Sequence, residues 1–313
     1  MPGTVVIVDV GQGDCTIAVD GQTKQALLID CNMDCQDIAV AELEELGYSE
    51  LSAAVITHSH LDHFGGLLNA IDQLGPRFKG RLYYNHDALI AEHRRQGGTK
   101  DSESRISGLL RRATQLDEEG SRAQPDIGPQ SLGSMTWSVL APSHNQLSKA
   151  IVARNPNLAS VIVLIESEDR SVIIGSDAQL EAWESLYENL PDKPIVRWPH
   201  HGGSIAGSHE TLFRLLDPSA VLVSVGANNS YNHPSEDFFA SAAQHDSPLI
   251  CTQATRKCDP DNGGQNCAGT IRIRLESEGE PLIEPGRGDH AEFIQQLGSA
   301  RCLDRGQASP NGG

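Results

Sequence analysis

Short apolar runs separated by turn residues predict three strands at the start of the chain. Residues 4–10 have the weak alternation of a strand, and residues 15–20 and 26–30 have the lengths of two strands joined as a hairpin through Gly21. Residues 36–46 differ, because their apolar side chains recur at helical spacing. The pattern therefore predicts strands that are followed by a helix.

The same succession of strands and helices continues into the second half of the chain. An apolar run at 51–57 predicts a strand, and the next segment predicts a helix over 65–74 that ends before Gly75. Further strands are predicted at 135–140, 160–166, 171–176, 194–198, 220–225, 248–252 and 269–275. Further helices are predicted at 178–189, 208–216 and 235–245. Two similar halves of this kind indicate two sheets packed face to face with helices outside.

One segment, residues 86–130, departs from this pattern. It is polar and permissive for helix, and from Arg94 to Arg112 it contains six lysines and arginines against two acidic residues. It is either a helical insertion over the mouth of a site or a solvated surface helix. We expect a single domain over residues 1–300 that carries this insertion, and a disordered polar tail at 301–313.

The composition narrows the classes of protein to which the chain can belong. Apolar residues make up 38% of the 313 positions, which is typical of a globular protein. No stretch approaches the roughly 20 apolar residues that span a bilayer, and the first apolar run resembles a strand rather than a signal peptide. We therefore expect a soluble protein without a membrane partner, located in the cytoplasm. The net charge of −18 disfavours non-specific binding of nucleic acid, because phosphate contacts need lysine and arginine.

The seven cysteines do not form a recognisable structural metal site. Cys31 and Cys35 are four positions apart, and Cys258 and Cys267 flank a loop rich in Asp, Asn and Gly. Neither pair has the Cys-x-x-Cys spacing of a structural zinc site. In a cytosolic chain such residues are expected to be reduced, partly buried thiols.

The chemistry concentrates in one short segment that follows an apolar strand. His58, His60, Asp62 and His63 lie within six residues, at a strand end where catalytic groups are commonly displayed. Imidazole and carboxylate groups are good ligands for zinc, manganese or iron. The spacing allows His58 and His60 to serve one ion, and Asp62 and His63 to serve a second ion beside it.

The His-x-His-x-Asp-His pattern, followed by Gly65-Gly66, resembles the signature of the metallo-β-lactamase superfamily. Further segments resemble the hydrolase domain of the competence DNA-uptake protein ComEC and standalone hydrolases of that branch. They are Val10-Gly11-Gln12-Gly13-Asp14, Leu28-Ile29-Asp30, Ile174-Gly175-Ser176-Asp177-Ala178, Pro199-His200-His201-Gly202-Gly203-Ser204 and Ser230-Tyr231-Asn232-His233-Pro234-Ser235. The resemblance covers roughly residues 4–275. It implies an α+β fold of the αββα type, in which two mixed sheets pack face to face between outer helices.

The resemblance also implies roles for residues outside the segment from His58 to His63, called here the histidine segment. Asp177 would be the carboxylate that bridges both ions, whereas alone it would more often cap a helix. Between His200 and His201, which leave a strand on opposite faces, we favour His201 as the ligand and His200 as a supporting group or substrate contact. His233 would be a ligand or the proton donor to the leaving group.

Several further residues are candidates for supporting the ligands or contacting substrate. Asp30 would orient a ligand histidine, and Asp14 and Gln12 would face the site unless they serve only the turn. His144 is a candidate, with Asn157 as its rival. The remaining histidines match no family element and are predicted at the surface; these are His86, His93, His209 and His245.

The implied function is hydrolysis by a hydroxide that bridges two divalent ions, Zn²⁺ or Mn²⁺, with Asp62, His200 and His233 as the catalytic residues. The first hypothesis is a DNA nuclease or phosphodiesterase whose nucleic-acid substrate contacts Arg94, Arg95, Arg111 and Arg112. The alternative is a hydrolase of small molecules such as a lactone, a thioester or a cyclic nucleotide. A binding module with a degenerate site is a third class, and the complete ligand set argues against it.

Overall fold

The computed structural model describes residues 2–95, 106–111, 121–123, 127–168, 170–245, 247–260, 264–275, 282–297 and 300–301. The strands are β1 Gly3–Ile7, β2 Thr16–Val19, β3 Gln25–Ile29, β4 Glu50–Val55, β5 Phe78–Tyr84, β6 Ser121–Arg122, β7 Gln130–Leu132, β8 Met135–Ala141, β9 Ile162–Ser167, β10 Arg170–Ile174, β11 Ile195–Arg197, β12 Ala220–Val223, β13 Leu249–Cys251, β14 Gln253–Ala254, β15 Gln265–Asn266, β16 Ile271–Leu275 and β17 Leu282–Pro285.

The helices are α1 Gln36–Glu45, α2 Leu61–Phe64, α3 Leu67–Leu74, α4 His86–Arg95, α5 at 106–111, α6 His144–Ala153, α7 Leu180–Glu184, α8 His209–Leu216, α9 Glu236–Ala242 and α10 His290–Gln296. Short 3₁₀ turns occupy Gly75–Arg77, Pro156–Ala159, Tyr187–Asn189 and Pro199–Gly202. No helix in the described part of the chain is both long enough and apolar enough to cross a membrane.

Two large mixed sheets carry the fold. The first has the order β17-β16-β1-β2-β3-β4-β5-β6, and the second has the order β13-β12-β11-β10-β9-β8-β7. In the first sheet β1, β2 and β3 are antiparallel, and β3, β4 and β5 are parallel. In the second sheet β8, β9 and β10 are antiparallel, and β10 to β13 are parallel. Parallel strands in each sheet therefore end at a common edge, where loops can meet.

Alternate residues of the strands divide the core into three layers. On β1, Val5 and Ile7 pack between the two sheets, while Val6 packs against the helices on the outer face of the first sheet. On β11, Ile195 faces the space between the sheets and Val196 faces the outer helices of the second sheet. Strand side chains point alternately to opposite faces, so these runs bury both faces. The predicted αββα sandwich is confirmed.

Some elements escaped the sequence prediction. Strand β5 carries Lys79, Gly80 and Arg81 in its first half, so its apolar pattern is short. Helix α6 was also missed, although Ser143 and Gln146 form a capping box at its start, which is a local signal for a helix N-terminus. The helix predicted over 65–74 begins two residues later as α3, and the separate short helix α2 precedes it.

A buried carboxylate joins the two sheets at the end opposite the histidine segment. Asp20 accepts hydrogen bonds from the Thr23 amide at 2.6 Å and the Gln22 amide at 3.1 Å, and its other oxygen accepts from the Ser134 amide at 2.9 Å. The turn after β2 is thereby tied to the turn between β7 and β8. Burial raises the pKa of Asp20, but the hydrogen bonds from Ser134 and Thr23 outweigh it and hold the pKa below its ordinary value.

We expect Asp20→Asn to lower the free energy of unfolding by about 1–3 kcal/mol at pH 7, because buried donors lose a charged acceptor. Since the folded-state pKa is depressed, this contribution is full above the unfolded value of about 3.9 and is lost as the pH falls further. Urea denaturation of chelator-treated protein should therefore show a gap between wild type and variant that narrows below about pH 4. The exposed Asp192→Asn is the charge-matched control, and a gap that stays constant with pH would contradict the argument.

Candidate metal centre

Two groups of side chains meet where the parallel strands of both sheets end. Each group has three members whose ligand atoms all lie within 4.8 Å of one another. The first group is His58, His60 and Asp177, and the second is Asp62, His63 and His201. The histidine segment follows β4 of the first sheet, whereas Asp177 follows β10 and His201 follows β11 of the second sheet. Both sheets therefore contribute to each group.

Asp177 belongs to the first group and also faces the second group. Its Oδ2 atom is 3.6 Å from His58 Nε2, and its Oδ1 atom is 3.3 Å from His63 Nε2 and 3.8 Å from His201 Nε2. One carboxylate therefore faces both groups through different oxygens. This is the position that a bridging ligand would occupy.

Several buried polar atoms of these groups have no hydrogen bond within the described residues. They are His63 Nε2, His201 Nε2 and Asp177 Oδ1. The two histidine nitrogens lie 3.3 Å and 3.8 Å from Asp177 Oδ1. A shared cation would satisfy all three atoms, and an orphaned buried polar atom costs about 1–3 kcal/mol. Imidazole nitrogen and carboxylate oxygen suit a divalent metal. The buried His/Asp groups therefore fit a dinuclear metal site.

The electrostatics of the two groups favour a cation. Burial, followed by the charges of His63 and His60, lowers the pKa of His58 well below its ordinary value, so this ring stays neutral and able to bind metal. Burial also opposes ionisation of His63 and of Asp177. It is outweighed by their mutual attraction, which raises the pKa of His63 well above its usual range and lowers that of Asp177 well below. Asp177 is thus ionised, and the positive charge that it attracts is the proton on His63.

Asp30 holds His63 from behind. Its Oδ2 atom is 2.8 Å from His63 Nδ1 and accepts from the Thr57 hydroxyl at 2.5 Å, and its Oδ1 atom accepts from the Thr57 amide at 2.9 Å. A carboxylate at Nδ1 fixes the tautomer in which Nε2 is free to face a metal. The structure thus brings Asp30 to the place that the sequence analysis expected.

Arg197 holds the second group from the other side and was not anticipated from the sequence. It is fully buried and donates to Asp14 Oδ1, to the Ser176 carbonyl at 2.8 Å and to the Trp198 carbonyl at 2.9 Å. The Nδ1 atom of His201 lies 3.0 Å from its guanidinium group. The signal that could have revealed it is an arginine inside the otherwise apolar strand β11.

The adjacent histidines separate because of an unusual backbone. His200 has φ 54° and His201 has φ 52°, so two successive non-glycine residues adopt the left-handed conformation. Such residues cost of order 1–3 kcal/mol each and cluster at functional sites. His201 turns inward and is 2% exposed, whereas His200 lines the cleft with its Nε2 atom 3.8 Å from Asp177. The two rings do differ in position, but through this turn rather than through strand alternation.

His233 reaches the site on a loop that Asn229 fixes. The Asn229 side chain accepts from the His233 amide at 2.8 Å and donates to the His233 carbonyl at 2.9 Å. Burial, followed by the charges of His200 and His201, lowers the pKa of His233 to about 4. Gly203 lies against this ring so closely that a Cβ atom there would overlap the imidazole.

The other candidates divide into those at the site and those away from it. Gln12 lines the cleft and accepts from the Gly226 amide at 3.2 Å, and Asp14 Oδ2 is 3.4 Å from His63. Asn157 Nδ2 is 3.4 Å from His200 Nε2. The looser candidate His144 is wrong, because it occupies the exposed first turn of α6.

The surface prediction for the remaining histidines is correct only in part. His86 is exposed, but His209 is 1% exposed and accepts a hydrogen bond from Trp198 Nε1 at 3.2 Å. His245 is half-buried and stacks on Phe213, with ring centroids 4.8 Å apart. These two pack against the apolar layer beneath the site because α8 lies there.

The arginine-rich segment and the cysteines complete the predicted features. Arg94 and Arg95 end helix α4, Arg111 is exposed in α5, and Arg112 lies outside the described residues, as does the tail from 302.

The cysteines within the described residues are all free thiols, and only Cys35 among them is not fully buried. The described thiols are thus more deeply buried than expected, and their reduced state stays a prediction.

An open cleft of about 590 Å³ gives access to both groups. Its walls are formed by Gln12, Asn32, Met33, Ser59, His60, Leu61, Asp62, Asp177, His200, His201, Tyr231 and His233. The volume lies within the usual range for small-ligand sites. His60 and Asp177 of the first group and Asp62 and His201 of the second group border the cleft.

Comparison with known proteins finds a matching family model and a distant relative. The family model described as the metallo-β-lactamase superfamily matches residues 8–101, which include the histidine segment. ComE operon protein 3 from Bacillus subtilis is 20% identical over 273 residues, which are 80% of this chain and 32% of that protein. The chain therefore spans about a third of the length of this relative.

Two solved structures resemble the fold at low identity. A variant of the β-hydroxylase CmlA has a TM-score of 0.50 at 13% identity, over 87% of this chain and 54% of that one. The metallo-β-lactamase fold protein YhfI from Bacillus subtilis has a TM-score of 0.48 at 15% identity, over 80% of this chain and 97% of that one. Likeness at this level concerns the fold alone. Residues 8–101 thus match the metallo-β-lactamase superfamily, and the chain is a distant homologue of ComE operon protein 3 over 80% of its own length.

Proposed function

We propose that this protein is a metal-dependent phosphodiesterase that cleaves DNA. The observation that carries the proposal is the position of Asp177, which belongs to one His/Asp group, faces the other and borders an open cleft. Paired metal sites of this kind serve in-line displacement at phosphorus. The resemblance of the motifs to the competence DNA-uptake branch supports DNA as the substrate.

The residues of the two groups would hold Zn²⁺ or Mn²⁺. His58 and His60 would bind one ion, Asp62, His63 and His201 the other, and Asp177 both. Two ions bound there would activate the attacking water and stabilise the attacking and leaving oxygens. The protein's own share would be to keep these donors in place, through Asp30 behind His63 and through the Ser224 carbonyl, which accepts from His201 Nδ1 at 2.9 Å when Nε2 faces the metal.

The cleft-facing histidines would act on the substrate directly. The His233 and His200 ring centroids are 5.2 Å apart, and both rings border the cleft above Asp177. An imidazole N–H at this position can donate a hydrogen bond to the leaving oxygen. The Asn229 hydrogen bonds to the backbone of His233 would keep that ring aimed at the cleft.

A second candidate function is hydrolysis of a small molecule such as a lactone, a thioester or a cyclic nucleotide. It is favoured by the cleft wall, which contains no lysine or arginine among the described residues, and by the net charge of −18. A polyanion would then need cationic contacts beyond the cleft. We propose that Arg94, Arg95, Arg111 and Arg112 supply them if DNA is the substrate.

The deciding experiment is incubation of metal-loaded protein with linear DNA, circular DNA, RNA and small lactones and thioesters. We expect cleavage of DNA that falls steeply with added salt, because phosphate contacts release counterions. Replacing the four arginines by glutamine should make this salt dependence shallower. Turnover of a lactone or a thioester without any cleavage of nucleic acid would favour the second candidate.

Asp62→Ala should abolish turnover while the far-ultraviolet circular dichroism stays that of wild type, because Asp62 lies on the short helix α2 at the edge of the cleft and not in the core. Asp192→Ala, at an exposed position, is the control. Activity of the Asp62 variant near the wild-type level would remove this residue from the catalytic set.

The purified protein should bind close to two divalent ions per chain. Metal removal should lower the melting temperature, since an ion that binds only the folded state stabilises it. Asp30→Asn should weaken metal affinity by roughly 10–100-fold, because it releases His63 from its fixed tautomer. Elemental analysis measures the number of ions per chain, and competition with a chromophoric chelator measures the metal affinity. Less than half an ion per chain after reconstitution would contradict the paired site.

Gly203→Ala should lower kcat by at least about tenfold, an effect of the size that a misplaced catalytic group produces, while metal content remains unchanged. The added methyl group must displace the His233 ring, and neither group of metal donors contains Gly203. Gly288→Ala is the matched control, because a Cβ atom there meets open space. Loss of metal in the Gly203 variant would mean that the substitution disturbs the donors themselves.

A further inference from the structure

Three nearly parallel rings lead from the buried metal donors to the surface. The His201 and His233 centroids are 6.3 Å apart with planes at 22°, and the His233 and Tyr231 centroids are 5.6 Å apart with planes at 16°. His201 is 2% exposed, whereas Tyr231 is 66% exposed and lines the cleft. One face of the Tyr231 ring is thus stacked on His233, while most of the side chain remains accessible.

The loop that carries Tyr231 is held at several points. Lys257 Nζ donates to the Asn232 carbonyl at 2.8 Å and to the Pro234 carbonyl at 2.5 Å, and only 14% of the Lys257 side chain is exposed. Asn229 fixes the backbone of His233 within the same loop. An exposed aromatic ring on a constrained loop loses little conformational freedom when a ligand stacks on it.

The remainder of the cleft suits a flat group beside a phosphate. Met33, 38% exposed, and Leu61 add apolar surface to the lining, and His200 and Asp177 add polar groups. The chain is poor in aromatic residues, at 4% of positions, so an exposed tyrosine at this place is not a common feature of its surface. Aromatic stacking accepts any nucleobase, because every base has a π face.

We propose that Tyr231 is the stacking platform for the nucleobase next to the scissile phosphate. This inference rests on the proposed phosphodiesterase function and adds the substrate class, a single-stranded or unpaired nucleotide segment. In this arrangement the base stacks on the Tyr231 face opposite His233, and Tyr231 and Asp177 line the same cleft. The identity of the base then has little effect on binding affinity, whereas the presence of a base increases it.

The test compares two ligands that differ only in the base. Thymidine 5′-monophosphate and deoxyribose 5-phosphate are titrated calorimetrically into zinc-loaded protein, and neither is a diester that the proposed activity would consume. Wild type should bind the nucleotide on the order of tenfold more tightly, the size expected of one base stacked on one aromatic ring. Tyr231→Ala should bind both ligands equally, and Tyr231→Phe should keep the preference.

Tyr187→Ala is the matched control, since Tyr187 is 71% exposed and lies outside the cleft lining. A preference for the nucleotide that survives in Tyr231→Ala, with the melting temperature unchanged, overturns the platform. Equal binding of both ligands by wild type overturns it too. If wild type shows the Tyr231-dependent preference but cleaves no diester, the platform stands and the proposed nuclease activity fails. If wild type cleaves DNA without any Tyr231-dependent preference, the nuclease activity stands and the platform fails.

Discussion

The buried ion pair between Asp14 and Arg197 is the interaction on which the centre depends. Asp14 belongs to the loop after β1 in the first sheet, and Arg197 ends β11 in the second sheet, so the pair connects the sheets directly behind the metal donors. Asp14 also approaches His63, and Arg197 approaches His201. Removing one partner of a buried pair costs about 3–5 kcal/mol, and here it would also release one histidine of the second group.

Around this pair, the backbone adopts strained conformations at four residues of the candidate centre. Asp30, Ser176, His200 and His201 all have positive φ angles between 48° and 55°. Each has backbone or side-chain hydrogen bonds to neighbouring segments, and such conformations persist where the surrounding structure fixes them. The rigid sandwich therefore holds its loops in conformations that they would not adopt alone.

The sequence predicted the sandwich and the densest part of the centre, for reasons that are local. His58, His60, Asp62 and His63 are neighbours in the chain, so their residue types alone indicated a metal. Asp177 and His201 depended on family resemblance, because nothing in their own segments distinguishes a ligand from a helix cap or a core histidine.

The residue roles that the sequence did not predict depend on tertiary contacts. Arg197 gains its role only where β11 meets the loop of Asp14, and His209 is buried only because α8 packs beneath Trp198. The exposed ring of Tyr231 is a candidate ligand contact only because it stacks on His233. Each of these depends on which segments face one another across the sandwich, and amphipathic periodicity carries no information about that.

The pairing of β1 with β16 has a consequence for biosynthesis. Val5 lies opposite Ile273, so the strand that leads into the Asp14 loop has β2 on one side and a strand some 270 positions later on the other. As the chain leaves the ribosome, β1 has an open edge until β16 follows. Contacts so distant in sequence form slowly, and an unpaired edge invites association with other chains. The nascent protein is thus most vulnerable to aggregation while its histidine segment is already synthesised and its sheet is still open.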